Sequence, residues 1–125
     1  MSAQQATVLV VDDEESLRRL VARALSGVGF GVLEAENGAS ALRLLAGTAG
    51  GVHLVISDIH MPVMDGLAFA QELRLRLPDV PLLFITGRES PDLVGEVLRK
   101  PFGQEALLMA VTRLLGQAAS VRSGH

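Results

Sequence analysis

The stretch TVLVVDD at residues 7–13 is a short β-branched run that stops abruptly at two carboxylates, Asp12 and Asp13. Three later apolar runs also lead to a polar side chain, and those side chains are Asp58, Thr86 and Lys100, the only lysine in the chain. If the runs are neighbouring parallel strands, their carboxyl ends open onto one crevice at the edge of the sheet. We therefore expect three carboxylates, a hydroxyl and an ammonium group to converge there from distant parts of the sequence.

The apolar segments alternate between two kinds of spacing. Short β-branched runs lie near residues 7–11, 31–35, 53–57, 81–86 and 96–98. Helical spacing predicts helices over residues 17–28, 39–45, 67–77 and 104–115. In the first of these, Arg18, Arg19 and Arg23 form the polar face. Such alternation predicts an α/β fold: a doubly wound, flavodoxin-like parallel sheet of five strands in the order 2-1-3-4-5, whose first and third strands flank the crevice.

The connection between the fourth and fifth strands is shorter than a complete helical unit. Only residues 87–99 separate Thr86 from Lys100, whereas a helix of about 11 residues, a strand of about 5 and two loops need more than about 20. Two glycines and a proline also lie inside this gap. We expect the fourth helix to be a single turn or missing.

The length of 125 residues fits one domain, and we assign residues 1–6 to an N-terminal lead, 7–117 to the domain and 118–125 to a flexible tail. The net charge of −3 and the lack of a basic cluster argue against a nucleic-acid surface. Without cysteine the chain forms no disulfide or thiolate metal site. No apolar run approaches the roughly 18 residues of a membrane span, and the first residues do not resemble a signal peptide. We expect a cytoplasmic protein without a membrane partner.

Each polar group has an ordinary structural explanation when it is taken alone. The Asp12–Asp13 pair could cap a helix, Asp58 could be a turn residue, and His53 and His60 favour structural or surface roles over metal ligation. Three carboxylates within a few ångströms repel one another, however, and a cation or protonation must relieve that repulsion. We favour Mg²⁺, a hard cation that binds carboxylates, carbonyls and waters and shares its coordination shell with phosphate oxygens.

A phosphoryl group beside such an ion needs further positive charge and a hydrogen-bond donor. Lys100 and Thr86 offer those two groups. A carboxylate can itself attack phosphorus and form an acyl phosphate, so Asp58, between the acid pair and the lysine, is a credible acceptor.

Four segments of the chain resemble the motifs of one family. They are VDDE at 11–14, DIHMPVMDG at 58–66, ITG at 85–87 and KPF at 100–102. From about residue 7 to 116 the chain closely resembles the receiver domains of two-component response regulators. Its shortened fourth unit is similar to that of the receivers attached to hybrid histidine kinases.

The resemblance implies roles for the acidic residues. Asp58 would be phosphorylated, and Asp13, Asp58 and the backbone carbonyl of His60 would hold Mg²⁺. Asp12 would assist through water. The resemblance thus implies one metal cofactor and a covalent aspartyl phosphate.

The resemblance also implies roles for the groups that bind the phosphoryl oxygens, and for partners. Thr86 would bind a phosphoryl oxygen as the switch, Lys100 would form a salt bridge to it, and the Lys100–Pro101 bond would be cis. The donor would be a histidine kinase or a histidine phosphotransfer protein, and the chain would not turn over free substrates. From the length of 125 residues we expect no attached output domain in this chain. A weak homodimer remains an open alternative.

Two features depart from the family pattern. Receivers with the common threonine–aromatic switch carry Tyr or Phe three residues before the lysine, where this chain has Val97. Rotation of an aromatic ring therefore cannot report phosphorylation here. The short fourth unit also removes much of the surface that many receivers use to dimerise or to bind targets.

Two other functions remain open. A small phosphatase resembling the haloacid dehalogenases would need a second acid two residues beyond the nucleophile, where this chain has His60. An interaction module with a silent site would bind its partner equally well with and without phosphate. Within the favoured hypothesis the chain is a free-standing regulator, a phosphate sink or the detached receiver of a hybrid kinase, and Met1 slightly favours the first.

Overall fold

The computed structural model describes residues 6–48, 51–61, 63–87 and 96–123. These residues form one parallel sheet, whose strands are β1 Thr7–Val11, β2 Gly31–Ala35, β3 Leu54–Asp58, β4 Leu82–Thr86 and β5 Glu96–Arg99. The strand order β2-β1-β3-β4-β5 confirms the predicted doubly wound topology. Each strand begins and ends within one residue of its predicted run.

The described residues also form four helices, which are α1 Glu15–Gly27, α2 Gly38–Thr48, α3 Gly66–Arg76 and α4 Gln104–Ser123. The predicted end of the last helix was wrong, because α4 continues past Leu115 to Ser123. Gly116 costs about 1 kcal/mol relative to alanine, but the Gln, Ala and Arg residues beyond it are good helix formers. None of these four helices is both long and apolar enough to cross a membrane. The division of the chain into lead, domain and tail remains a prediction.

The predicted short fourth helix falls mostly outside the described residues. Strand β4 ends at Thr86 and strand β5 begins at Glu96, so residues 87–95 make the whole connection between them. Residues 88–95 of this connection are not among those described.

The two faces of the sheet carry separate apolar layers. Successive side chains of a strand point to opposite faces, so Val8 and Val10 pack with α1 and α4, whereas Leu9 and Val11 pack with α2 and α3. Strand β3 is buried along its whole length. Because helices cover both faces, the carboxyl edge of the sheet is the place where polar groups can gather.

Val63, in the loop before α3, has a backbone conformation that suits glycine better than valine. Its φ is +72° and the residue is 82% exposed. A β-branched residue in the left-handed region is sterically strained. We therefore expect Val63→Gly to raise the free energy of unfolding by about 1 kcal/mol, measured by urea denaturation.

Val28 provides the matched control for this prediction. It is also exposed, at 55%, but its φ is −109°, which lies outside the left-handed region that favours glycine. Val28→Gly should leave stability unchanged or lower it. Equal stability changes in the two variants would contradict the assignment of strain to Val63.

Candidate functional site

Three carboxylates converge at the carboxyl edge of the sheet. Asp12 and Asp13 follow β1, Asp58 ends β3, and these two strands are direct neighbours, with Val11 opposite Ser57. One oxygen from each of the three carboxylates lies within 4.8 Å of the other two. Asp12 and Asp58 are 1% and 6% exposed, while Asp13 is open to solvent. The strand order therefore brings together acids that lie some 45 residues apart in sequence.

Asp58 is held by the loop that follows it. Its Oδ1 accepts a hydrogen bond from the backbone N–H of Ile59 at 2.7 Å and a longer one from that of His60 at 3.3 Å. Its backbone carbonyl accepts a bond from the Ser57 hydroxyl at 2.8 Å. Its Oδ2 faces Lys100 Nζ at 3.3 Å. One carboxylate oxygen is thus fixed by the main chain, and the other is paired with a cation.

The start of α3 packs closely against the same loop. The Gly66 N–H donates to the Ile59 carbonyl at 2.8 Å, and Asp65 caps the helix by accepting from the Ala68 N–H at 2.9 Å. A Cβ on Gly66 would lie 2.4 Å from the Asp58 carbonyl oxygen and 2.7 Å from Ile59 Cα. Only glycine allows the helix to begin this close to the aspartate.

Lys100 and Thr86 reach the site from the neighbouring strands. Thr86 is buried at the end of β4, one residue beyond the partner of Asp58 in the strand register. Its carbonyl accepts the Lys100 N–H at 2.8 Å, and the Lys100–Pro101 bond is cis, as the resemblance implied. The Lys100 ammonium also lies 3.9 Å from Asp12 Oδ2.

The surroundings of the Asp12 carboxylate disfavour its charged form. Its Oδ1 accepts the Glu14 N–H at 2.9 Å, but its buried Oδ2 has no hydrogen-bond partner. Burial, together with the charges of Asp58 and Asp13, raises the pKa of Asp12 to about 6, although the Glu14 hydrogen bond and Lys100 oppose this. The ionised form of Asp12 is therefore costly in the folded, metal-free protein.

This donor set fits a hard divalent cation. Mg²⁺ binds carboxylate oxygens, and a cation would relieve the mutual repulsion of the three acids. It would also add positive charge near Asp12 Oδ2, which accepts no hydrogen bond and lies 3.9 Å from the Lys100 ammonium. Among the described residues, His53 and His60 do not join this group of possible ligands. His53 Nδ1 accepts the Thr7 N–H at 3.0 Å, and the His60 side chain is exposed.

The raised pKa of Asp12 predicts an unusual pH dependence for the metal-free protein. The folded-state pKa of about 6 exceeds the ordinary value of 3.8, so the folded state binds the proton more tightly. Stability should rise as the pH falls through 6 and towards 4. In EDTA at pH 7.5 we expect Asp12→Asn to be more stable than the wild type by about 2 kcal/mol, and this gain should shrink as the pH falls to 5.

Urea denaturation at a series of pH values checks this prediction, with Asp79→Asn as an exposed acidic control. Asp79→Asn should follow the wild-type profile. A difference between Asp12→Asn and the wild type that stays constant from pH 7.5 to 5 would contradict it.

Two contacts of the site were not anticipated from the sequence. Gly66 lies inside the 58–66 motif, but its contact with the Asp58 carbonyl depends on the path of the loop. Arg18, expected on the polar face of α1, instead donates to the Asp12 carbonyl at 2.9 Å. The only sequence signals were an Asp-Gly pair before a helix and an arginine one turn beyond the acids.

Comparisons with known proteins give a consistent result. A model of the response regulator receiver domain family matches residues 8–112. The sensor kinase CckA of Brucella abortus (strain 2308) is 38% identical over 118 residues, which cover 88% of this chain and 12% of that protein. The transcriptional regulatory protein GlrR of Escherichia coli (strain K12) is 36% identical over 127 residues, which cover 95% and 28% respectively. The chain therefore spans less than a third of either relative.

A solved structure extends the likeness to three dimensions. The crystal structure of the receiver domain from the hybrid histidine kinase CckA matches with a TM-score of 0.79 and 34% sequence identity. The match covers 88% of this chain and 99% of that one.

Proposed function

Because the chain belongs to the response regulator receiver domain family, we propose that it accepts a phosphoryl group on Asp58 in a Mg²⁺-dependent step of a two-component phosphorelay. The observation that carries this proposal is the convergence of three carboxylates within 4.8 Å, with Lys100 3.3 Å from Asp58. This arrangement combines a nucleophile, a cation site and a fixed positive charge.

The acidic residues are proposed to hold the metal ion. Asp13, Asp58 and the backbone carbonyl of His60 would bind Mg²⁺ directly, and Asp12 would assist through water. The Oδ2 of Asp12 supports this assignment, because it is buried, accepts no hydrogen bond and lies 3.9 Å from the Lys100 ammonium, so a hydrogen bond from a metal-bound water would stabilise it. When bound, Mg²⁺ supplies positive charge for the oxygens of the transferring phosphoryl group.

The transfer itself moves phosphorus from nitrogen to oxygen. A carboxylate oxygen of Asp58 forms a bond to phosphorus while the bond from phosphorus to the donor imidazole breaks, and the imidazole leaves with the electron pair and takes up a proton. Lys100 would stabilise the negative charge on the phosphoryl oxygens, and the Thr86 hydroxyl would donate a hydrogen bond to one of them. The backbone N–H groups on Oδ1 keep the Asp58 carboxylate oriented during transfer.

The proposed donor is a histidine kinase or a histidine phosphotransfer protein in the cytoplasm. The likeness to the receiver of a hybrid histidine kinase supports this class of partner. Free phosphomonoesters are not proposed as substrates, because His60 occupies the position where the phosphatase chemistry needs a second acid.

The test is incubation with acetyl phosphate and Mg²⁺, followed by intact-mass measurement. We expect a gain of one phosphoryl group that EDTA prevents and that hydroxylamine removes, as an acyl phosphate requires. No mass change under conditions that label a known receiver would contradict the proposal. Steady turnover of a free phosphomonoester would favour the phosphatase instead.

A further inference from the structure

Arg18 links the acidic loop after β1 to the neighbouring strand β2. Its Nη1 donates to the Asp12 carbonyl, and its Nε donates to Glu34 Oε1, both at 2.9 Å. The next residue, Arg19, also reaches Glu34, at 3.5 Å, but its second ion pair is with Glu15 on the surface of α1. The Arg18 side chain is 12% exposed and that of Arg19 is 55% exposed. The two arginines thus share Glu34 but differ in their contact with the loop.

The main chain of Asp12 is held at both of its polar atoms. Its N–H donates to the Ala35 carbonyl at the end of β2 at 3.1 Å, and its carbonyl accepts from Arg18. Its side chain is tied in turn to the Glu14 N–H. Fixing the peptide groups on both sides of the Asp12 Cα limits the directions in which the Asp12 and Asp13 carboxylates can point.

We infer that Arg18 is a positioning residue for the acidic pocket: by bridging Glu34 and the Asp12 carbonyl, it holds the Asp12–Asp13 backbone so that both carboxylates meet Asp58. The inference rests on the proposed function and names a residue that prepares its metal site. Residues that orient metal ligands without touching the ion commonly change the affinity about 10- to 100-fold.

The loss of the Arg18 charge and the loss of its positioning contacts predict opposite changes in Mg²⁺ affinity. Removal of a positive charge near a cation site should tighten Mg²⁺ binding, because the ion meets less repulsion. Loss of the bridge should weaken binding, because the carboxylates must then be ordered by the ion itself. The direction of the change in affinity therefore separates the two effects.

The experiment measures Mg²⁺ affinity by titration calorimetry and the free energy of unfolding in EDTA, for the full chain and its variants. We expect Arg18→Gln to weaken Mg²⁺ binding about tenfold. The matched control Arg19→Gln, which also loses a contact with Glu34, should stay within about twofold of the wild type. Glu34→Gln should weaken binding by a smaller factor than Arg18→Gln, since Arg18 keeps its bond to the Asp12 carbonyl.

A second measurement, made in the absence of metal, reports on the order of the loop that contains Asp12 and Glu14. The Glu14 amide, bonded to Asp12 Oδ1, should lose protection from hydrogen exchange in Arg18→Gln and retain it in Arg19→Gln. If Arg18→Gln fails to fold, Arg18→Lys takes its place, because a lysine ammonium keeps the charge but cannot reproduce the two-sided geometry of the guanidinium. Weaker Mg²⁺ binding by Arg18→Lys would then support the inference, and wild-type affinity would overturn it.

The remaining outcomes separate the inference from the proposed function. Equal or tighter Mg²⁺ binding by Arg18→Gln would overturn the positioning role and leave the metal site standing. Equal weakening by Arg18→Gln and Arg19→Gln would also overturn it. A wild-type protein that binds no Mg²⁺ would contradict the proposed function itself.

Discussion

Asp58→Asn should abolish phosphorylation of the chain by acetyl phosphate and by a phosphorylated histidine kinase. The amide of asparagine lacks the anionic oxygen that attacks phosphorus, so no acyl phosphate can form at this position. The variant should remain folded, because the substitution removes one of three mutually repelling carboxylates. Intact-mass measurement reports the modification, and urea denaturation in EDTA reports the fold.

Asp79→Asn is the matched control, since Asp79 is an exposed aspartate outside the acidic group. It should accept phosphate at the wild-type rate. Phosphorylation of Asp58→Asn at a comparable rate would mean that another residue is the acceptor, and the assignment of Asp58 would be wrong.

Gly66→Ala should destabilise the protein by about 3 kcal/mol or more. The added Cβ would lie 2.4 Å from the Asp58 carbonyl oxygen and 2.7 Å from Ile59 Cα, and both are backbone atoms that cannot rotate away. Either α3 or the loop after Asp58 must move. We therefore expect weaker Mg²⁺ binding together with the loss of stability, measured by calorimetry and urea denaturation.

Gly116→Ala is the control for this prediction, because alanine is expected to stabilise the protein at this position. Gly116 lies in α4, and a methyl group added there would meet nothing within 4 Å, so alanine should stabilise the helix by up to about 1 kcal/mol. If Gly66→Ala were as stable as the wild type, the close approach of α3 to Asp58 would not hold in solution.

Strands β1, β3 and β4 could be predicted from the sequence because each is a buried run that ends where a polar side chain begins. The end of α4 could not, since two signals conflict there. The apolar spacing stops near Leu115 and Gly116 favours a break, but the next residues have enough helix propensity to continue to Ser123. Periodicity reports which face of a helix is buried and does not fix where the helix ends.

The acidic group of the site followed from topology, because strand order alone places Asp12, Asp13 and Asp58 at one edge. Arg18 did not follow, since helical spacing assigns it to the polar face of α1 with its neighbours. Its two contacts join the Asp12 carbonyl to Glu34, which lies on strand β2. A contact of this kind is set by tertiary packing, and a single sequence does not report it.

The central claim is that Asp13 and Asp58, acids from two distant segments, together hold Mg²⁺, and amide NMR during a MgCl₂ titration tests it most directly. We predict that the largest shift changes occur at residues 12–14 and 58–60, that they saturate, and that Asp13→Asn abolishes them. Saturating Mg²⁺ that leaves these amides unmoved, or shifts that persist unchanged in Asp13→Asn, would contradict the account.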